Sequence, residues 1–528
     1  LDSKKRALIS VFDKRGVKEL AKELVGLGFQ LISTGGTARY LEEAGLEVEK
    51  VEDLTGFPEI LGGRVKTLHP KIHAGLLARD LPEDHEQLEQ LGISPIDLVV
   101  VNLYPFQETV STPGVTLEEA LEQIDIGGVA LIRAAAKNFP RVAVVVNPDR
   151  YQEILAELRE KGEVSLQTRF TLAREAFWHT ANYDRAISGY LHEISLKDEG
   201  ELTSSPERSK FPEKLLLPLV KLQDLRYGEN PHQEAAFYRE EPLSWGIVSF
   251  QKLQGKELSF NNILDLEAAF RIASEFAEPA AVVIKHNTPS GVACDSRLST
   301  AFRKAFQADA VAAYGGVVGL NKLVDTETAE ALTEHFLEAV VAPGYSEAAL
   351  KVLEKRKNLR LISSGELPMK QVSYRNFKQV SGGFLVQDPD LVENDLQKLR
   401  ATSKVVTKRE PSPDEWEDLL FAWIVVSHVF SNGIVVARAK ETLGIGNGQV
   451  SRIAAARIAL EKAGDKARGA VLASDGFLPF ADTVELAAEF GVAAIIQPGG
   501  SIRDQEVIAA ADAKGLAMVF TGKRHFRH

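Results

Sequence analysis

The sequence predicts an α/β protein built of several domain-sized units, and three observations carry that reading. Short apolar runs alternate with amphipathic helical stretches along most of the chain. Turns bearing glycine join one to the other, as at Thr34-Gly35-Gly36-Thr37. The 528 residues are too many for one core and suggest about three or four such units.

Composition narrows the class. Lys and Arg number 62 against 74 Asp and Glu, a net charge of −12. That balance gives no general attraction to nucleic acid or an anionic membrane, so a phosphorylated ligand must be held by local donors. Cys294 is the single cysteine, which excludes an intramolecular disulfide and any multi-cysteine zinc site and fits a reducing cytoplasm. Its expected role is that of a small buried filler. No apolar run approaches the ~18 residues of a membrane span, and LDSKKRALISVF runs from charges into a strand without a signal-peptide pattern. A soluble, untargeted, cytoplasmic chain is expected.

Residues 1–195 open with strand ALISVF (7–12) and helix VKELAKELVGLG, whose Leu20, Leu24 and Leu27 recur at helical spacing. FQLIST (29–34) leads into helix TARYLEEAG, and DLVVVNLYPF (97–106) and VAVVVN (142–147) supply further core strands. Strands so separated make a mostly parallel sheet covered on both faces. The polar KDEGELTSSPERSKFPEK within 196–215 reads as a linker. In 216–528, AAVVIKH, AVAAYGGVVGL and AVVAP alternate with helices LDLEAAFRIASEF and TAEALTEHF. After a charged, irregular stretch near 355–415 come helix WEDLLFAWIVVSHVF, the cluster LGIGNG, helix QVSRIAAARIALEKAG, and strands GAVLASD, AAIIQPGG and AMVFTG. Two similar α/β subdomains are expected, with no strict short repeat to prove a duplication.

The residues that carry chemistry stand at element ends. AVVIKHNTPSG (281–291) reads as a buried strand stopped by Pro289-Ser290-Gly291, which leaves Lys285 and His286 at its carboxyl end, where open α/β sheets present ligand-binding groups. An imidazole beside an ammonium suits a general base paired with a charge stabiliser. Thr34-Gly35-Gly36-Thr37 joins a strand to a helix and offers an anion site that Ser10 and Lys14 close over. It lacks the third glycine of a dinucleotide fingerprint, and no P-loop occurs. Arg64, Lys66, His69, Lys71 and His73 crowd into LGGRVKTLHPKIHAG (61–75), and an anionic ligand explains them better than a solvated face. Pro70 spoils the helix that a His69/His73 metal pair would need, so no metal is expected. Asn102 and Tyr104 end a strand, and Asp125-Ile126-Gly127-Gly128 opens a helix carrying Arg133 and Lys137. Tyr, Asp and Lys in one pocket can move protons and hold an oxyanion. DLRYGENPHQ (224–233) mixes Arg226, Tyr227, Asn230 and His232 as a binding loop would, and the tail FTGKRHFRH follows a core strand closely enough to dock.

TGFPEILGGRVKTLHPKIHAGLLAR, NLYPF, EQIDIGGVALIRAAAKN, LRYGENPHQ, GIGNGQVSRI, SDGFLPFAD and IIQPGGSIRD together resemble one family, in its order and over nearly the whole chain. These are the bifunctional purine biosynthesis proteins, which join a formyltransferase acting on aminoimidazole carboxamide ribotide (AICAR) to an inosinate (IMP) cyclohydrolase. The resemblance implies a methylglyoxal-synthase-like amino-terminal domain that closes formyl-AICAR to IMP. Lys137 would be its proton-transfer residue, with Lys66, Tyr104 and Asp125 around the reacting groups. Ser10, Lys14, Thr34, Gly36, Thr37, Arg64, Thr67, Asn102 and Gly127 would hold the nucleotide. Phe12 replaces a small hydroxyl residue of many relatives, leaving its backbone N–H to serve.

For 216–528 the resemblance implies two cytidine-deaminase-like subdomains without zinc, transferring formyl from 10-formyltetrahydrofolate to AICAR. His286 would be the base and Lys285 the charge stabiliser. Arg226, Tyr227, Asn262, Gly315, Asn432, Phe477 and Arg524 match AICAR-contacting positions, and Glu338, Arg452, Ile453, Asp482, Ser501 and Ile502 match folate-side positions. Thr288-Pro289-Ser290-Gly291 departs from Asn-Pro-Cys-Gly and removes any thiol role; AAYGG (312–316) loses a hydroxyl contact but keeps Gly315. A homodimer is implied. Two other classes fit the chain less well: a nucleotide-sensing module, which would not need Lys66, Tyr104, Asp125 and Lys137 together, and a zinc nucleoside deaminase, whose ligand set one cysteine cannot supply.

Overall fold

Alternating apolar and amphipathic segments near the amino terminus fold into a five-stranded, all-parallel sheet: β1 (Arg6–Val11), β2 (Gln30–Ser33), β3 (Glu49–Lys50), β4 (Leu98–Asn102) and β5 (Ala143–Val145). Their order is β3-β2-β1-β4-β5. Strand order reverses between β1 and β4, the place where a doubly wound sheet leaves a crevice outside its carboxyl ends. Successive residues feed opposite faces, with Leu8, Val99 and Val144 in one core and Ala7, Ile9 and Val100 in the other. Helix Val17–Gly26 buries Val17, Leu20, Ala21 and Leu24 on the second face, as its spacing predicts. This computed structural model describes residues 4–192, 194–196, 202–204, 211–241, 245–365 and 375–528, so most of the expected linker lies outside the described residues. The chain divides into two compact units, 1–216 and 217–528. No helix among the described residues is long and apolar enough to cross a membrane.

The larger unit holds one twelve-stranded mixed sheet. Its first half runs Gln251–Gln254, Arg360–Ser363, Leu337–Ala342, Gly316–Leu320, Ala280–Lys285, Thr288–Cys294. Its second half continues Glu441–Gly446, Ile434–Arg438, Val471–Ser474, Ala494–Gln497, Ala517–Phe520, Lys404–Val405. Read outward from the centre, both halves have the same pattern: a hairpin, an antiparallel neighbour, two further parallel strands and an antiparallel edge. The repetition reaches single residues at one constant offset. Helices Phe260–Ser274 and Pro413–Val426 are both capped by a serine, Ser259 and Ser412. Gly291 and Gly444 both press against a helix, where an added Cβ would stand 1.9 Å from the Ala305 carbonyl oxygen and 2.0 Å from that of Ala459.

One expectation is corrected. The chain does not stop at Pro289-Ser290-Gly291 but reverses earlier, over His286 and Asn287, whose φ values of 52° and 60° make a two-residue hairpin between paired Lys285 and Thr288. Both turn residues are left-handed, as the twist of such hairpins demands. Thr288–Cys294 then runs as a strand; Pro289 is tolerated because a register shift falls between Val283 and Ile284 beside it.

The helix contact at Gly291 makes a direct test. Gly291→Ala is expected to destabilise the larger unit by about 1–3 kcal/mol through overpacking, measured by denaturant unfolding. Gly26→Ala, where nothing lies within 4 Å of the added Cβ, serves as the neutral comparison; equal stability of the two variants would contradict the contact.

Candidate functional site

The carboxyl ends of β1, β2 and β4 gather donors around one lysine. Thr34 heads helix Gly35–Glu42, whose Gly35 and Gly36 N–H groups have no partner within the helix and favour an anion, while the Thr37 N–H bonds back to the Thr34 carbonyl at 3.1 Å. Ser10 Oγ lies 3.4 Å from Thr34 Oγ1, and Lys14 Nζ 3.5 Å from the Phe12 carbonyl. Asn102 spends its side chain on the turn after β1: Oδ1 accepts from the N–H of Phe12 at 2.6 Å and of Asp13 at 2.9 Å. The Phe12 N–H is therefore occupied, against expectation, while its exposed ring meets Tyr104 edge-on at 5.5 Å. Thr37 is buried and donates its hydroxyl to the Val11 carbonyl at 3.0 Å, so its side chain ties helix to strand instead of offering a donor to a ligand.

Lys66 enters from the cation-rich loop. Its Nζ stands 3.2 Å from Glu59 Oε1 and 3.4 Å from where a Cβ on Gly35 would be. Asp125 Oδ1 accepts from the Gly128 N–H at 2.7 Å, and Tyr183 fixes the Asp125 backbone by accepting its N–H at 2.8 Å. Burial lifts the Asp125 carboxyl above its ordinary value, opposed by the Gly128 N–H, the Lys66 charge and the Tyr104 N–H. Gly127 lies against the Thr67 hydroxyl, 2.8 Å from an added Cβ. Lys66, Thr67, Tyr104, Asp125 and Gly127 thus meet in one place. Arg64 pairs with Glu122 at the exposed rim.

In the larger unit, Lys285 Nζ donates to the carbonyls of Tyr314 and Gly315, each at 3.0 Å. Gly315 has φ +66°, and a Cβ there would stand 3.2 Å from the Phe336 ring and 3.3 Å from Lys285 Nζ, so glycine alone presents that carbonyl. His286 is exposed at the hairpin tip. Next to this lies a cavity of about 1090 Å³ lined by Arg226, Tyr227, Asn262, Phe336 and Glu338, with Lys355, Arg356 and Lys357 on it. Arg226 sits over the Tyr227 ring at 5.4 Å, buried Asn262 accepts from the Ser259 N–H at 3.2 Å, and Glu338 pairs with Arg360 at 2.8 Å.

The tip also touches the second half. Thr288 Oγ1 accepts from Asn447 Nδ2 at 3.4 Å, Gln449 Nε2 donates to the Asn447 carbonyl at 2.9 Å, and Asn432 Nδ2 donates to that of Gln449 at 2.8 Å. Arg452 grips Asn432 Oδ1 at 2.7 Å and is itself buried against Asp475. The tail docks as expected: the His525 N–H donates to the Asp475 carbonyl at 3.0 Å, and Arg524 lies over the Phe526 ring at 4.6 Å. Phe477, Asp482, Ser501 and fully exposed Ile502 follow the carboxyl ends of Val471–Ser474 and Ala494–Gln497, while Ile453 packs on that half's core.

Comparison with known proteins agrees with this layout. The family described as AICARFT/IMPCHase bienzyme matches residues 135–462, and the MGS-like domain matches residues 16–130. The bifunctional purine biosynthesis protein PurH of Desulfitobacterium hafniense strain Y51 is 51% identical over 99% of this chain and 100% of its own length. Those of Sorangium cellulosum and Anoxybacillus flavithermus are 53% and 52% identical over 99% of this chain and 100% of theirs. The chain belongs to the AICARFT/IMPCHase bienzyme family. It is a bifunctional AICAR formyltransferase and IMP cyclohydrolase of purine biosynthesis, and its formyltransferase half requires a folate-type formyl donor.

Within one copy of this bienzyme the expected residues do not all converge. Lys137 ends helix Gly127–Lys137, ten residues from Gly127 and about 15 Å along the axis. It sits with Leu77, Phe139, Phe170 and Phe177, away from Lys66 and Asp125. The strand of Glu338 and the strand that Ser501 follows are seven spacings apart, roughly 34 Å at the usual inter-strand distance. Arg452 is sequestered in an ion pair and orients Asn432. Three residues escaped sequence reasoning: Glu59 against Lys66, Asp265 against the His286–Asn287 turn, and Asn447 against Thr288. Glu59 and Asn447 lie inside motifs already singled out; Asp265 depends on strand pairing that no local pattern shows.

Asp125 yields a stability test. Its folded-state value is raised, so the ionised carboxylate costs stability above that value and the cost disappears as pH falls through it. Asp125→Asn is expected to raise the thermal midpoint of the amino-terminal unit at pH 7 and to lose that gain toward pH ~4, while reducing cyclisation. A lower midpoint at pH 7 would contradict the desolvated carboxylate.

Proposed function

We propose that cyclisation runs at the crevice of the smaller sheet and formyl transfer along the loaded edge of the larger one. The observation that carries the first is Lys66, lodged between the amino end of helix Gly35–Glu42 and the desolvated Asp125. The phosphate of formyl-AICAR docks on the Thr34–Gly36 turn with Ser10 and Lys14, placing the carboxamide and formyl groups against Lys66, Tyr104 and Asp125. The amide nitrogen attacks the formyl carbon, Lys66 holds the oxyanion, Asp125 takes the amide proton and passes it to that oxygen, and the hydroxyl leaves as water with the proton of the former formamide nitrogen as the ring C=N bond forms to give IMP. A proton-transfer role for Lys137 needs the helix of a second copy, because its own copy holds it about 15 Å away along the helix.

In transfer, AICAR occupies the cavity beside Arg226, Tyr227 and Asn262, and 10-formyltetrahydrofolate is the donor. His286 removes the proton of the weakly basic amine as it attacks the formyl carbon, and Lys285 steadies the developing charge. Tetrahydrofolate leaves with formyl-AICAR as the other product. The separation of Glu338 from Asp482, Ser501 and Ile502 supports a homodimer in which two copies complete each folate site. The repeated topology supports a cytidine-deaminase-like reading of each half, with residues 196–215 as the linker and the cytoplasm as the place of work.

His286→Ala is expected to abolish tetrahydrofolate release from AICAR and 10-formyltetrahydrofolate, yet to cyclise supplied formyl-AICAR at the wild-type rate; Lys66→Ala does the converse, losing at least ~100-fold in cyclisation. Loss of both activities in either folded variant would contradict two separate sites.

A further inference from the structure

The hairpin that carries His286 is held by a residue of another element. Asp265, on helix Phe260–Ser274, accepts the Asn287 backbone N–H at 2.6 Å. Its carboxyl lies within electrostatic reach of Lys285 and His286. His286 and Asn287 occupy left-handed backbone conformations that cost energy for residues bearing a Cβ and persist only where the surroundings fix them. The carboxylate supplies that fixing.

The second half of the same sheet shows where the device comes from. At the equivalent place, Asp418 stands six residues beyond the capping Ser412, as Asp265 stands six beyond Ser259. Asp418 accepts the N–H groups of Ala439 and Lys440 at 2.9 and 2.8 Å, and these two again form a left-handed pair, with φ 53° and 54°. A helix carboxylate gripping a two-residue turn is therefore part of the repeated unit. Only the first half has a histidine in the gripped turn; the second has Ala439, with Lys440 drawn off to Glu278 and Glu417.

We propose that Asp265 is a positioning residue for formyl transfer, holding His286 at the angle from which its imidazole meets the AICAR amine. The inference rests on His286 being the base. Asp265 touches no reacting atom, so it acts through the turn. Removing the acceptor frees the tip, and misplacing a base by about 1 Å costs on the order of 100-fold in rate.

The test compares Asp265→Ala with Asp418→Ala in the full chain, under saturating AICAR and 10-formyltetrahydrofolate. Asp265→Ala is expected to lower the transfer kcat by roughly 10- to 100-fold with the KM for AICAR changed less than about threefold. Asp265→Asn, whose Oδ1 still accepts the N–H, is expected to recover most of that rate. Asp418→Ala loosens the matching turn in the other half and keeps the wild-type kcat, and cyclisation of supplied formyl-AICAR is unchanged throughout. Should Asp265→Ala fail to fold, Asp265→Glu replaces it, because one added methylene moves the acceptor while charge is kept; the same fall in kcat is expected. A wild-type kcat in the folded Asp265 variant, or an equal fall in Asp418→Ala, overturns the proposal. His286→Ala assayed alongside separates the two failures: full activity there removes His286 as the base, whereas its inactivity beside a fully active Asp265→Ala removes the clamp alone.

Discussion

The pairing of strand Thr288–Cys294 with Glu441–Gly446 is the contact on which the larger unit depends. It is a narrow ladder: Ala293 faces Glu441, the Val292 N–H donates to Thr442 Oγ1 at 2.9 Å, and the Cys294 N–H donates to the Lys440 carbonyl at 2.9 Å. Through it two repeats become one sheet. Every step from Gly316–Leu320 across the centre to Val471–Ser474 is antiparallel, so the parallel strands of the two halves run in opposite directions. The amino ends of one set therefore share an edge with the carboxyl ends of the other. Lys285, His286, Gly315 and Glu338 reach that edge from the first half, and Asn432, Phe477, Ser501 and Ile502 reach it from the second.

Much of this was legible residue by residue and little of it as an arrangement. The strands of the smaller sheet showed themselves because each is an apolar run of β-branched residues. The turn at His286–Asn287 was hidden behind Pro289-Ser290-Gly291, which looks like a terminator. Gly291 is instead a glycine because the strand must pass Ala305 closely, and the true reversal uses left-handed positions that Asn tolerates well. Asp265 was invisible for a related reason: its partner is a backbone N–H twenty-two residues away, a contact fixed by the sheet and not by the helix it sits on.

The two sites differ in how they hold their chemistry. In the smaller unit, the cost is borne by Asp125, a carboxylate lifted by burial and kept in place by the Gly128 N–H and the Lys66 charge. A carboxylate so buried costs stability when it is ionised. In the larger unit the charges are mostly neutralised by fixed partners: carbonyls for Lys285, Asp475 for Arg452, and Arg360 for Glu338. The buried Arg452–Asp475 pair is strongly destabilising to break, since either partner alone is left uncompensated. It fixes Asn432 and the docked tail together.

On the proposed assignment, each site has a member out of reach inside one copy, Lys137 in the smaller unit and the Glu338 side of the folate group in the larger. Completion by a second copy is tested by following both rates per mole of chain as the protein is diluted, with sedimentation reporting how many copies remain together. Transfer and cyclisation should fall together as single copies appear. An unchanged rate of either reaction among single copies would contradict completion of that site by a partner.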